Sequence, residues 1–158
     1  MSYRLKTNSK EYFINTTYQR LDDKKYILTG DSAFVYNGIS VSGIYYPDLL
    51  TNGDLGYMQI HGRVSYCFVQ YEINYRDYVS PMKDAPNILV PTPERAIVEN
   101  IKTDLEFIDE GYFVDSLERF TWEKRYSYDK LIEVAEFFCV EKDIIDYWLE
   151  ECEGFNSY

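Results

Sequence analysis

With a single histidine, this chain has little material for acid–base or nucleophilic chemistry. His61 stands beside Gly62-Arg63 at the end of an aromatic run, and any Ser-His-Asp or Cys-His site would have to be built on it. Its place at a strand end is that of a surface or edge residue. Cys67, Cys139 and Cys152 form an odd, widely spaced set, which argues against both a disulfide framework and a zinc site. Gly30-Asp31-Ser32 lacks the further glycines and the lysine of a phosphate loop, and it does not match a Gly-x-Ser-x-Gly elbow. A nucleotidyltransferase needs a Gly-Ser turn followed by a close pair of strand acids to bind magnesium, and no Asp-x-Asp or Asp-x-Glu follows on any predicted strand. Pro47-Asp48 could open a metal-dependent nuclease motif, but Glu72 is followed by Ile73 and Asn74 where that chemistry needs a lysine. Glu133, Glu136, Asp143, Asp146 and Glu150 lie along helix faces opposite apolar stripes, the placement of a solvated face rather than of an acid–base pair. The expectation is a protein with no catalytic site, no bound metal and no cofactor.

Charge says more than chemistry. Residues 1–92 hold nine acids and nine bases, whereas residues 93–158 hold eighteen acids and seven bases, the whole net charge of −11. Nucleic acid would be repelled from that second half, and a basic protein would be drawn to it. The five carboxylates just named are its candidate contact residues. No stretch is apolar enough to span a bilayer and no signal peptide opens the chain, so a cytoplasmic protein without a membrane role is expected.

The elements that position these residues follow from periodicity. At 158 residues and 46% hydrophobic content, the chain fits one domain that buries about 70% of its unfolded surface. Seventeen tyrosines and nine phenylalanines suggest a core filled with rings, the tyrosines at its edge. Residues 1–25 are a polar N-terminal segment, with Ser9 as a cap and Tyr12, Phe13, Thr16 and Leu21 at loosely helical spacing. After Tyr26-Ile27-Leu28, a short helix capped by Asp31 or Ser32 should end at Gly38. Tyr57 to His61 and Val64 to Ile73 read as a hairpin, and the longer run, apolar on both faces, as a central strand. Ile88-Leu89-Val90 is a last short strand. Residues 26–92 thus form a sheet-rich half.

Residues 93–153 read as an acidic helical half. Thr92 caps a helix, Pro93 occupies its first position and Glu94 meets the positive end of its dipole. Arg95 is left to bridge to a carboxylate or a loop carbonyl. Ile97, Ile101, Leu105 and Ile108 make one stripe, which predicts a helix continuing to about Gly111. A second helix should bury Phe113, Leu117 and Phe120. A third, capped by Ser127, should bury Leu131, Ile132, Ala135 and Phe138. A fourth should run from about Glu141 to before Gly154, burying Ile144, Ile145, Trp148 and Leu149. The fold class is α+β, a single domain with a small β-sheet and a helical C-terminal half.

Two stretches carry a resemblance. Tyr26 to Ala33 with Gly38 resembles the Leu-Thr-Gly, Ser-Ala, Gly opening of the AbiEi-type antitoxins, and Ile88 to Ala96 resembles their strand-to-helix junction. Gly30, Ser32, Thr92, Pro93, Glu94 and Arg95 are the motif positions, and the helices that follow resemble the family's C-terminal half. The resemblance covers about residues 26–152. It implies a non-catalytic antitoxin of the type IV toxin–antitoxin and phage-defence class, counteracting a nucleotidyltransferase-type toxin. The family's N-terminal winged helix-turn-helix has no counterpart here, since 25 residues are too few, so no direct DNA binding is expected. The motif residues themselves read as structural: caps and a junction. An acidic, nucleic-acid-mimicking inhibitor from a mobile element, aimed at a nucleic-acid enzyme, is the alternative that the charge distribution supports.

Overall fold

The computed structural model describes residues 26–39, 48–51, 56–60, 64–69, 77–83, 86, 88–123 and 125–156, with side chains described at 26–39, 77–83, 86, 88–123 and 125–152. The expected N-terminal helix, His61 and the Gly62-Arg63 turn lie outside them. The strands are β1 (Tyr26–Thr29), β2 (Asp48–Thr51), β3 (Gly56–Ile60), β4 (Val64–Val69), β5 (Val79–Pro81) and β6 (Ile88–Pro91). The helices are α1 (Gly30–Tyr36), α2 (Pro93–Lys102), α3 (Glu110–Trp122), α4 (Tyr128–Phe137) and α5 (Lys142–Asn156). The α+β class and the helical C-terminal half are those the sequence predicts.

Packing divides the chain into two interleaved units, Met1–Leu28 with Tyr45–Val90 and Thr29–Ile44 with Pro91–Tyr158. Residues 29–39 therefore belong with the helices, not with the sheet-rich half that the sequence predicts over 26–92.

The sheet has the strand order β3-β4-β2-β1-β6-β5. β3 and β4 form the expected antiparallel pair, Ile60 opposite Val64 and Tyr57 opposite Cys67. β4 also runs parallel to β2, Asp48 beside Tyr66, which gives it the interior place its two apolar faces imply. β2 escaped the sequence reading: Asp48 and Thr51 bound only two apolar residues, too few to show an alternation. β1 runs parallel to β6, Tyr26 beside Ile88 and Ile27 beside Leu89. Tyr26, Ile27, Leu28, Ile88 and Leu89 are all buried.

In the helical unit the core is built of rings and aliphatic stripes. Phe34 stacks on Phe113 with centroids 5.5 Å apart, and Phe113 meets the edge of Trp148 at 5.2 Å. Leu117 and Phe120 of α3, Leu131, Val134 and Ala135 of α4, and Ile145, Leu149 and Cys152 of α5 are buried. Five expected core positions differ. Ile144 is 42% exposed, and Ile101, Leu105, Ile132 and Trp148 are only half-buried. On α5 the buried residues Ile145, Leu149 and Cys152 set the inward direction, and at about 100° per residue Ile144 and Trp148 fall on its flank.

Three helices end in the same device. In each, the amide after a left-handed residue returns to the carbonyl five residues back, a Schellman cap. At α1 the left-handed residue is Gly38 (φ 68°), with the Ile39 amide 2.9 Å from the Phe34 carbonyl. At α4 it is Cys139 (φ 59°), with the Val140 amide 2.8 Å from the Ala135 carbonyl. At α2 it is Asp104 (φ 56°), with the Leu105 amide 2.8 Å from the Asn100 carbonyl. This last cap stops α2 at Lys102, short of the expected end near Gly111, and turns fill residues 103–107 before α3. Thr103 supports the break by donating its hydroxyl back to the carbonyls of Glu99 and Asn100. Asp109 then caps α3 by accepting from the Tyr112 amide at 3.1 Å. At the far end α5 runs through Gly154 to Asn156 instead of stopping before the glycine. Cys139 is exposed at a cap and Cys152 is buried, and both are free thiols.

Candidate functional site

The residues that carry the family resemblance converge in the helical unit, and what they build is a buried polar frame. Thr92 is extended and its hydroxyl accepts from the Arg95 amide at 3.2 Å, with Pro93 at the first helical position. This is the cap the sequence predicts. Arg95 has no exposed side chain, and its Nη2 donates to Oε2 of Glu99 at 3.0 Å, one turn further along α2. Its guanidinium also lies 5.0 Å from the ring centroid of Phe138, at the end of α4. The bridge to a carboxylate is one of the two contacts the sequence leaves open for Arg95, and Glu99 is its partner. The i, i+4 spacing of Arg95 and Glu99 was the available signal.

Glu99 is the hub. Its Oε1 accepts from the Thr29 hydroxyl at 3.1 Å. Burial pushes its carboxyl above the ordinary carboxylate range, against the opposing pull of Arg95 and of the two hydrogen bonds. Because the Thr29 hydroxyl is spent on Glu99, it makes no cap on α1. Asp31 and Ser32 are not caps either, since α1 starts at Gly30 and both lie buried in its first turn. Gly30, at φ 63° and buried, sits where a side chain would meet left-handed strain.

Glu94 does more than complement its own helix. Its Oε2 accepts from the amide of Ser127, the cap residue of α4, at 3.3 Å. One buried carboxylate thus serves the positive ends of two helices. Asn37 closes the frame by donating its amide nitrogen to the Pro91 carbonyl at 3.0 Å. Gly30, Ser32, Glu94 and Arg95 are buried and Thr92 and Pro93 half-buried. They hold α1, α2 and α4 in place and present no open face to a substrate.

The acidic candidates lie elsewhere, on α4 and α5. Glu133, Glu136, Asp143 and Glu150 are exposed, and Asp146 is half-exposed. On α4, Glu133 and Glu136 point away from buried Leu131, Val134 and Ala135. On α5, Asp143, Asp146 and Glu150 fall within an arc of roughly 60° on the flank next to Leu149, away from Ile144 and Trp148. Two of the five are engaged. Lys130 reaches Glu133 at 3.5 Å, a pair of little energetic weight at this exposure. Asp146 accepts from both the Lys142 ammonium and the Tyr128 hydroxyl, each at 2.7 Å. Those two hydrogen bonds hold its carboxyl below the usual value, and the same contacts raise the ammonium of Lys142. Among the described residues, Glu136, Asp143 and Glu150 make no ion pair. Among the same residues no three His, Cys, Asp or Glu side chains gather as metal ligands would, and no helix is long and apolar enough to cross a membrane.

No known protein family, curated protein or solved structure matches this chain. The functional reading therefore rests on the residues: a closed polar frame that shapes the helical unit, and an open carboxylate face on its two last helices.

Proposed function

We propose that the chain is a non-catalytic, antitoxin-like binding protein that counteracts a nucleotidyltransferase-type toxin through the carboxylate face of α4 and α5. The observation that carries this reading is the division of labour among the acids. Glu94, within the motif, and Glu99, one turn beyond Arg95, are buried and spent on helix ends and on Arg95. Glu136, Asp143 and Glu150 stay exposed, on the half of the chain that holds the whole net charge. Such a face steers a basic protein into encounter and repels nucleic acid. The sequence resemblance to AbiEi-type antitoxins supplies the class of partner.

Titration calorimetry of this chain against the purified toxin at low and high salt tests the reading. Affinity should fall as salt rises, because exposed charges are screened beyond about 8–10 Å. Salt-independent affinity, or no binding, would contradict it. The same face also fits the alternative, an inhibitor that imitates phosphate spacing; that reading instead requires displacement of nucleic acid from a basic enzyme groove.

A further inference from the structure

In the helical unit, the ends of α2 and α4 and the first turns of α5 line a hollow of about 220 Å³. We propose that this hollow seats one bulky apolar side chain from a lysine- and arginine-rich segment of the partner protein. The inference rests on the reading of the helical half as a contact surface for a basic protein, and it adds where that protein is anchored.

The walls are Ile101, Leu105, Val140, Ile144 and Trp148. Ile101, Leu105 and Trp148 are half-buried and Ile144 is 42% exposed, so the apolar lining opens to the surface. Two Schellman caps shape the rim: left-handed Asp104 and Leu105 end α2 on one side, and left-handed Cys139 ends α4 on the other. Apolar cavities of about 150 Å³ accept a benzene-sized guest, so this volume suits one leucine, phenylalanine or tryptophan side chain rather than a larger ligand.

The charge around the hollow selects what flanks that side chain. Asp104 lines it, and exposed Glu106, Glu141 and Asp143 directly adjoin Leu105, Val140 and Ile144 in the chain. Exposed Glu151 follows Trp148 by one turn. Against them stand two lysines. Lys142 is held by Asp146 at 2.7 Å, which leaves Lys102 as the opposing charge on the lining. An apolar centre with an acidic surround matches a basic segment that carries one apolar anchor.

Two short Lys- and Arg-rich peptides test this, one with a single central leucine and one with alanine in its place. Trp122→Phe removes an exposed tryptophan and leaves Trp148 as the fluorescent reporter in the wall. The leucine peptide should bind at least about tenfold tighter than the alanine peptide and should change Trp148 emission. Ile144→Asp separates anchoring from charge. It adds a carboxylate, so a purely electrostatic contact would tighten for both peptides, whereas a seated anchor predicts weaker binding of the leucine peptide alone. Lys102→Glu should strengthen binding of both. Equal affinities of the two peptides, or a gain for both on Ile144→Asp, would overturn the seat and leave the acidic contact face standing. Failure of either peptide to bind would also overturn the seat, and calorimetry with the toxin would then decide the proposed function separately.

Discussion

Arg95 and Glu99 meet at 3.0 Å one turn apart on α2, their side chains 0% and 2% exposed. A buried ion pair of this kind adds little net stability compared with apolar replacements, but it is costly to break. Removing one partner leaves an uncompensated charge in the interior. Arg95→Ala or Glu99→Ala should therefore lower the unfolding free energy by about 3–5 kcal/mol, while a double change to Met and Leu should cost far less. Denaturant unfolding of the three variants checks this. A double variant as unstable as the singles would mean that the pair is not the unit.

The Glu99 carboxyl also sets a pH dependence. Its folded value lies above the ordinary 4.5, so the folded state holds this proton more tightly than the unfolded chain. The corresponding contribution to stability is present in full below about 4.5 and is lost as pH rises through the folded value. Glu99→Gln should remove that downward slope on the alkaline side of 4.5. Denaturation midpoints of both proteins across the acid range measure it, and superimposable slopes would contradict the assignment.

Cys139 adopts a left-handed backbone at the α4 cap with φ 59°, a conformation that costs a side-chain-bearing residue about 1–2 kcal/mol. Cys139→Gly should relieve the strain and, after the added freedom of the unfolded chain, raise stability by about 1 kcal/mol. At Asp104 the same change should gain less, because Asp tolerates this region better. A lowered melting temperature for Cys139→Gly would show that the thiol contributes more than the backbone costs.

Asp146 sits between Lys142 and Tyr128, which hold its carboxyl below the ordinary 3.8. Its contribution is present above 3.8 and disappears as pH falls through the lowered value. Carboxyl titration by NMR should place Asp146 below the ordinary aspartate value, and Lys142→Ala should return it towards that value. An unchanged titration in that variant would assign the effect to Tyr128 alone.

Much of this architecture is legible in the sequence because its signals are local. Thr92-Pro93 and Ser127 announce helix starts through side chains that cap their own amides, and Gly38 announces a helix end through its backbone. The hairpin of β3 and β4 shows in its composition. What escapes are features decided by distant partners. The Thr29 hydroxyl goes to Glu99, 70 residues away, so it does not cap α1, and α1 starts at Gly30, ahead of the expected caps Asp31 and Ser32. The end of α2 at Lys102 rests on Asp104 and Leu105 in left-handed conformations, which the apolar stripe from Ile97 to Ile108 conceals. The exposure of Ile144, and with it the hollow, depends on how α5 is rotated against α3, and no local pattern encodes that rotation. The carboxylate face was readable from spacing alone, since solvated positions opposite an apolar stripe repeat with the helix.

Growth rescue is the most direct measurement of the central claim. Cells would express this chain together with the nucleotidyltransferase-type toxin proposed as its partner. Wild-type protein should restore growth, and the fourfold charge reversal of Glu133, Glu136, Asp143 and Glu150 to Lys should not, although it remains folded. A wild-type chain that fails to rescue against a demonstrably active toxin, or a charge-reversed chain that rescues equally well, would contradict the account.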